Sequence, residues 1–583
     1  MNELKLNEAL EAESEYKTAV EEAYDYVENF DILETITNVG NDEVFTPRKT
    51  ADMMLNCLPD EVWHNPNYKW LNPATKNGIF EREIAIRLDK GLENVIPDIE
   101  KRRKHILQNM IYSIGQTKFT SNVARRTLYY CSQANRECDG IKAKDGHYIN
   151  GYAIGNGSWF ADTEGNIKTP STNHEFVDNA GRNMSSTCKG DDRKKYHCKY
   201  CGISGASSYN DVNQREKYAY ELIHINHLNI KKYMQDRFFG GNKDMKFDII
   251  IGNPPYQLSD GGAQSSAKPI YHLFVQQAIA LNPKYLSLII PSRWMAGGKG
   301  LDDFREAMLK DRHIMTMHDC VNAKECFPNN DIPGGVCFFV WSLNHDGKCD
   351  YYRHLAGNID HSKRYLKEEG SEILIRDKKM LEILRKVRKV TKKSFSEIVS
   401  SRKPYGLTGD FFKDPSKYNL PNVKAQKENG DLTIYGLDER LQRTTRYIDK
   451  KYPLPKVDEG LQKYKIFIAE AYGCGIIGEK DSTPILSTPI LGVPNDLCTE
   501  TFLQIGPFST EEERDNCLSY IKTKFMRFMV GIKKISQHCT KEVYEFAPLV
   551  AFDIKYTDKE LYRMFGLSED EIAYIELNIK EMN

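Results

Sequence analysis

The rhythm of apolar and polar positions changes several times along the chain, and each change predicts an element. Residues 1–34 set Val20, Ala23, Tyr24 and Val27 at helical spacing among eleven acidic side chains, with only Lys5 and Lys17 against them. This predicts an acidic amphipathic helix over residues 1–40. From 41 to 130, strand-like and helix-like runs alternate. A short strand ends at Trp70–Leu71, Asn72-Pro-Ala-Thr-Lys-Asn-Gly78 makes a turn, and Ile79–Leu88 has helical period. A second helix–strand pair follows, with Ile106–Met110 leading into Ile111–Ile114. Such βαβ punctuation predicts a parallel sheet. Residues 131–215 break the rhythm, being rich in Gly, Asn, Ser, Asp and Cys, and read as an insertion between two strands. The sheet resumes with Phe247-Asp-Ile-Ile-Ile251, an apolar run of the kind a buried parallel strand carries. Further strands are expected at Tyr285–Ile290 and Val336–Trp341, with a helix at Leu301–Leu309 between them.

Near residue 375 the pattern changes again. Met380, Leu384, Val387 and Val390 form one apolar stripe, flanked by eight Lys or Arg between 378 and 393 with only Glu382 against them. A boundary is expected here. Residues 376–560 show scattered Gly/Pro turns, short β-like pieces and a basic, aromatic helix at Ile521–Ile535. Residues 561–583 close the chain as one helix. The fold class expected is therefore α/β: a doubly wound core over 41–375, a small Cys-rich insertion at 131–215, and a mixed α+β region after it.

Composition narrows the class. The 583 residues are 40% hydrophobic, and 81 Lys+Arg stand against 82 Asp+Glu. That excludes a disordered, collagen-like or disulfide-dense chain. Apolar runs such as Val336–Trp341 fall far short of the roughly 20 residues a membrane span needs. The acidic start does not resemble an export signal. A soluble cytoplasmic protein without membrane contact is expected. The net charge of −1 neither indicates nor excludes nucleic acid, because a neutral chain can still carry a basic face. The 14 cysteines are then expected to be reduced, and a cluster of them reads as metal-binding before it reads as disulfide-bonded.

Three motifs carry chemistry. In Asp248-Ile-Ile-Ile-Gly-Asn253-Pro254-Pro255-Tyr256 an apolar strand ends in a turn stiffened by two prolines. The Asn253 amide and the Pro254 carbonyl are held in place, and an aromatic ring stands beside them. Two carbonyl oxygens so placed suit an exocyclic amine on a planar ring. They accept its two N–H bonds and free its lone pair, while Tyr256 stacks on the ring. The plainer reading is a rigid strand end with Tyr256 as packing. The second motif, Asn72 to Gly78, opens a helix after a strand and ends on a glycine, which lets backbone approach a ligand. Alone, it reads as an ordinary βα turn. The third, Val44-Phe45-Thr46-Pro47, reads alone as a helix start, with Thr46 capping and Pro47 at the first helical position.

In this order the motifs resemble the gamma arrangement of amino-methylating DNA methyltransferases, and more narrowly the N6-adenine methyltransferases of restriction–modification systems. The stretches that carry the resemblance are Phe45-Thr-Pro-Arg, Asn72-Pro-Ala-Thr-Lys-Asn-Gly-Ile-Phe, Asn253-Pro-Pro-Tyr-Gln-Leu, Ile290-Pro-Ser-Arg-Trp-Met-Ala-Gly-Gly-Lys-Gly and Gly334-Gly-Val-Cys-Phe-Phe. The resemblance covers residues 45–375 well and the remainder loosely. It implies a Rossmann-like core, a C-terminal target-recognition domain at 376–560, and S-adenosylmethionine as methyl donor to an adenine flipped out of double-stranded DNA. It implies that Phe45, Thr46 and Pro47 border the cofactor's methionine end, and that Asn72, Pro73, Ala74, Thr75 and Gly78 form its main loop. Asn253, Pro254, Pro255 and Tyr256 would form the catalytic turn. Two positions depart from the family pattern. Asn72 stands where Asp is usual, and the strand ending Ile111-Tyr-Ser-Ile-Gly115-Gln116 lacks the acid that commonly holds the cofactor ribose. Gln116 is the candidate substitute there, and Asn226 a candidate near the cofactor's adenine. Cytosine-C5 chemistry is disfavoured, since no proline is followed by cysteine. The short stretch before Phe45 leaves no room for a fused nuclease, so a separate cognate restriction endonuclease is the partner implied. The rivals are an RNA or protein amide-nitrogen methyltransferase and a non-catalytic DNA-binding relative.

Two further features stay with the residues. Cys198-Lys-Tyr-Cys201-Gly202 has the shape of a metal knuckle. Cys131 and Cys138 are candidates to complete a structural zinc site with Cys198 and Cys201, and Cys188, His174 and His197 are alternatives. Unmetallated buried cysteines are the plainer reading. The basic helix containing Arg385, and Lys522, Lys524, Arg527, Lys533 and Lys534, are candidate phosphate contacts. Arg402, Lys403 and Tyr405 lie in a loop that could reach bases.

Overall fold

In Ile249-Ile-Ile-Gly252, every side chain is apolar because every one is covered: Ile250 packs into one core, Ile249 and Ile251 into another. A strand with apolar residues on both sides of its pleat must lie between two layers. That logic organises the first part of the chain. The computed structural model describes residues 44–582, apart from 130–163, 207–219, 258–267, 299, 370, 419–422, 474–476, 478–483 and 535–536. The chain divides into two compact units, residues 1–374 and 375–583. The predicted N-terminal helix lies outside the described residues.

The first unit is built on a nine-stranded sheet. Its strands are β1 (Trp70–Thr75), β2 (Ile111–Gly115), β3 (Ile167–Lys168), β6 (Ile249–Gly252), β7 (Tyr285–Pro291), β8 (Ile314–Cys320), β9 (Val336–Ser342), β10 (Cys349–Leu355) and β11 (Asn358–Arg364). β4 (Phe176–Val177) and β5 (His197–Cys198) pair with each other outside it. The spatial order is β3-β2-β1-β6-β7-β9-β8-β10-β11. β3, β2, β1, β6 and β7 run parallel, β9 is antiparallel to both its neighbours, and β11 closes the edge antiparallel to β10. The sheet is thus mixed and parallel-rich.

Helices cover both faces. One core joins Leu71, Ile250 and Leu288 to Phe274 and Val275 of helix Tyr271–Ala280 and to Phe304 and Met308 of helix Asp302–Lys310. The other joins Trp70, Ile249 and Ile289 to Met54 and Leu55 of helix Arg48–Asn56, to Ile84 and Leu88 of helix Ile79–Gly91, and to Leu128 of helix Lys118–Tyr129. Truncating Ile250, which is fully buried, to alanine is worth about 2–5 kcal/mol by the usual cost of such cavities.

Several elements depart from expectation. β3 lies inside the stretch read as an insertion, yet it pairs with β2 at the sheet edge. Two residues are too few to show a period. The second unit carries two three-stranded sheets and a set of short helices. Its last segment is two helices, Asp558–Met564 and Glu569–Asn578, broken at left-handed Gly566. The expected helix at Ile521–Ile535 is instead the end of Glu511–Lys522 and all of Lys524–Lys533, with Thr523 capping the second. In helix Lys378–Val390 the buried stripe is Leu381, Ile383, Leu384 and Val387, and Val390 is exposed.

Candidate active site

Chain order runs outward from β1 through β2 to β3, then returns to the other side of β1 at β6. The carboxyl ends of β1 and β6 therefore flank the point where the strand order reverses, the usual place for a ligand crevice in an open α/β sheet. The Asn72–Gly78 segment, whose first four residues are the end of β1 and not the turn expected of them, lies at one of these ends and Asn253–Tyr256 at the other.

Gly78 makes the loop possible. It sits at φ +81° as the residue before helix Ile79–Gly91, and a Cβ there would lie 3.0 Å from the Ala124 Cα. Thr127 fixes the loop from the same neighbouring helix, its hydroxyl donating to the Asn77 carbonyl at 2.7 Å. Asn72 is buried and spends both ends of its amide. Oδ1 accepts from the Ala74 N–H at 3.1 Å, and Nδ2 donates to Glu81 Oε1 at 3.0 Å. Ser113 of β2 donates to the same Glu81 oxygen at 2.6 Å. Glu81 is fully buried, and desolvation raises its pKa above the usual carboxylate value.

The Phe45-Thr-Pro47 segment is clamped to both other motifs through the Val44 carbonyl. It accepts from Lys76 Nζ at 2.8 Å and from Asn253 Nδ2 at 3.3 Å. The Thr46 hydroxyl accepts from Asn253 Nδ2 at 3.1 Å. Thr46 therefore does not cap the helix that follows; that helix begins at Arg48 after Pro47. Both donors of the Asn253 amide point toward the 44–46 segment, while its Oδ1 is buried and has no hydrogen-bond partner among the described residues. Thr46, Asn72, Ala74, Thr75, Gly78 and Asn253 all line one cleft.

Pro254 and Pro255 are buried, and Tyr256 is half-buried. The Tyr256 hydroxyl is sealed from solvent without a partner, and burial raises its pKa. Gln116 follows β2 directly, with both side-chain amide atoms buried and without a partner among the described residues. Asn226 is not brought to the cleft: it is exposed, and its side chain accepts from the Leu228 N–H. Sequence reasoning missed Glu81, Lys76 and Ser113. An acid in a helix's first turn ordinarily reads as a complement to the helix dipole, so nothing along the chain marked Glu81 as a buried partner.

The remaining candidates divide. Cys131 and Cys138 lie outside the described residues. Cys198 and Cys201 are buried together with His224, beside His174. Cys188 and His197 are not in this group. Tyr405 is fully buried and donates to Gln504 Oε1, so it belongs to the core of the second unit and does not reach bases. Arg402 and Lys403 pair with Glu500. Arg385 is exposed on its helix, and neighbouring Lys386 binds Glu571 at 2.6 Å. Arg527 and Lys534 are buried and donate to backbone carbonyls.

The family described as the Eco57I restriction-modification methylase matches residues 109–327, which include the Asn253–Tyr256 turn. An adenine-specific methylase of Mycoplasma pneumoniae is 43% identical over 348 residues, covering 58% of this chain and 77% of that protein. The chain belongs to the adenine-specific methylases of the restriction-modification type. Among solved structures, this methylase is similar to the type IIL restriction-modification enzyme MmeI in complex with DNA, at 11% identity and a TM-score of 0.40, over 85% of this chain and 64% of that one. It is also similar to a modification subunit of a putative type I restriction enzyme from Vibrio vulnificus, at 12% identity and a TM-score of 0.30. That match covers 59% of this methylase, which spans about half of the subunit's length. Among the described residues, no helix is long and apolar enough to cross a membrane.

Proposed function

We propose that this methylase transfers a methyl group from S-adenosylmethionine to N6 of an adenine flipped out of double-stranded DNA at a specific short site. The observation that carries the reading is the buried Asn253 Oδ1, which has no donor among the described residues and belongs to the cleft that residues 72–78 also line. A buried carbonyl oxygen without a donor is costly, and a ligand N–H satisfies it.

The residues present fit the cofactor. Thr46, Asn72, Ala74, Thr75 and Gly78 would hold it, and the orphaned Gln116 amide offers a donor and an acceptor to a ribose where the family usually has an acid. S-adenosylmethionine, when bound, supplies the electrophilic methyl group.

The chain's own residues do the rest. Asn253 Oδ1 and the Pro254 carbonyl accept the two N–H bonds of the target amine. This concentrates the lone pair on nitrogen and orients it. The Val44 carbonyl and the Thr46 hydroxyl hold the Asn253 amide so that its oxygen, not its nitrogen, faces the cleft. That is preorganisation, established before substrate arrives. The half-buried Tyr256 ring offers a face on which a flipped base can stack. The departing amine proton leaves to solvent. The core is thus read as a Rossmann-like methyltransferase fold and the 376–560 region as its target-recognition domain.

The test is modification-sensitive sequencing of DNA from a methylation-free host expressing the wild type or Asn253→Ala. N6-methyladenine at one motif, present only with wild type, is expected. No mark in either, with soluble protein confirmed, overturns the DNA reading. Calorimetry with S-adenosylhomocysteine then tells a methyltransferase with another substrate from a non-catalytic relative.

A further inference from the structure

Far from the cleft in sequence, four side chains of three separate segments converge. His174 precedes β4, Cys198 ends β5, Cys201 follows it in the knuckle, and His224 ends the short helical turn Glu221–His224. One ligand atom from each lies within 4.8 Å of all the others. Cys198, Cys201 and His224 are buried at 1%, 1% and 3% exposure, and His174 is half-buried.

The geometry points to a tetrahedral zinc site formed by His174, Cys198, Cys201 and His224. Bonds of ~2.3 Å to sulfur and ~2.0–2.1 Å to nitrogen, at tetrahedral angles, place ligand atoms about 3.3–3.8 Å apart. His224 Nε2 lies 3.1 Å from His174 Nδ1, and Cys201 Sγ lies 3.6 Å from the same nitrogen. The backbone is shaped for it. Cys198 N–H bonds the Ile203 carbonyl and Gly202 N–H bonds the Cys198 carbonyl, closing the knuckle, with Gly202 at φ +76°. Phe176 pairs with Cys198 across β4 and β5, which brings the residue two before it, His174, alongside the knuckle.

The tautomers agree as well. His224 Nδ1 lies 2.9 Å from the Tyr220 carbonyl, which can only accept, so the ring proton is on Nδ1 and Nε2 presents its lone pair to the cluster. A histidine ligand held by a carbonyl on its other nitrogen is the usual outer partner of a bound metal. Two thiolates and two neutral imidazoles suit zinc and leave no open position, so the ion is structural. Binding releases the thiol protons to solvent.

The energetics give the site a purpose. Between 171 and 202 nearly every described residue is exposed or half-buried, so hydrophobic burial alone supports little of this segment. A zinc ion would tie it to the Glu221–His224 turn, which is fixed to the core where Gln277 donates to the Ile225 carbonyl at 2.7 Å. Folding of such a segment draws on metal binding. The proposal is independent of the reaction at the cleft. The ligand set also differs from the one the cysteine count suggests, placing two histidines where Cys131 and Cys138 were the expectation.

The experiment is metal analysis of the full-length protein purified without chelator, followed by cobalt substitution. About one zinc per chain is expected, and the cobalt form should show the visible absorption of a tetrahedral site with thiolate bands. Cys198→Ser and His224→Ala should lose the metal, while Cys188→Ser and the Cys131→Ser/Cys138→Ser double variant keep it. His174→Cys should retain the metal and strengthen the thiolate-to-cobalt band, a result no misfolded variant would give. Absence of metal from the wild type, with Cys198 and Cys201 freely alkylated or oxidised to a disulfide, overturns the site. So does metal that survives His174→Ala and His224→Ala but is lost with Cys131 and Cys138.

Discussion

At the scale of single residues, the cleft is governed by how amides and one buried acid divide their hydrogen bonds. Asn72 stands where the family pattern has Asp, and Glu81 shows why the exchange is tolerated: an amide can donate to that buried carboxyl, and a carboxylate cannot. Asn72→Asp would set two carboxyl groups 3.0 Å apart in a site where desolvation already raises the Glu81 pKa. The pair would have to share a proton. An acid whose pKa is raised by folding takes up a proton on folding, so stability falls as pH rises through the window between the unfolded and folded values. Asn72→Asp is therefore expected to lose about 1–3 kcal/mol near neutrality, and the loss should grow as pH rises. Urea unfolding curves across a pH series check this, and a loss independent of pH would contradict it. Gly252→Ala tests the same contact from β6, because a Cβ there would lie 2.5 Å from Asn72 Oδ1. It should weaken S-adenosylhomocysteine binding at least tenfold, about 1.4 kcal/mol, in calorimetry. Asn72 and Asn253 were both visible in the sequence as motif residues. Which end of each amide is spent was not, since that depends on Glu81, Val44 and Thr46, the last two over 200 positions away from Asn253.

At the scale of elements, the strands legible in the sequence are those buried on both faces. β6, β7 and β9 are apolar runs, broken only by Ser287 inside β7 and ended by Ser342 in β9, and fall within a residue or two of expectation. β8 and β10 were missed because they read Ile-Met-Thr-Met-His-Asp-Cys and Cys-Asp-Tyr-Tyr-Arg-His-Leu, with polar residues inside the sheet. Those polar residues have partners that only pairing creates. Asp319 accepts from Ser292 at 3.0 Å and from Tyr351 at 2.6 Å. His318 is stacked between Phe338 of β9 and Tyr352 of β10, with centroids 4.7 and 4.6 Å away, and Tyr352 stacks in turn on His361 of β11. Burial in this cross-strand ladder pulls the His318 pKa down to about 4 from 6.5. A base whose folded pKa is depressed gives its full stability above 6.5 and loses it as pH falls toward 4. The first unit should thus lose roughly 2 kcal/mol from this group between pH 7.5 and 5. His318→Phe, which keeps the stack, should flatten that slope in urea melts. An unchanged slope would place the acid sensitivity elsewhere, with His272, also pulled down to about 4 by burial, as the next group to replace.

At the scale of the whole molecule, a net charge of −1 means that DNA binding must come from where the cations stand, not how many there are. The sequence shows the cations without their partners, and the structure commits several of the candidates internally. Lys524 binds Glu576 at 2.7 Å and Glu581 at 2.9 Å, Lys533 binds Glu545, and Lys386 binds Glu571 at 2.6 Å. These pairs tie separate segments of the second unit together, and removing them should destabilise it. Lys378 and Lys389 are exposed on helix Lys378–Val390. Each phosphate contact adds about one to the slope of log affinity against log salt. Lys378→Ala and Lys389→Ala are therefore expected to lower that slope by about one each, evenly across DNA sequences, with little change in melting temperature. Lys524→Ala and Lys533→Ala should do the reverse, leaving the slope intact and lowering the melting temperature by roughly 2–4 °C per kcal/mol lost. Fluorescence anisotropy across a salt series, paired with thermal melts, separates the two groups. If Lys524 or Lys533 lowers the slope, those ion pairs open on DNA and the division of cations drawn from the structure fails. If neither Lys378 nor Lys389 does, the phosphate-facing surface lies off this helix.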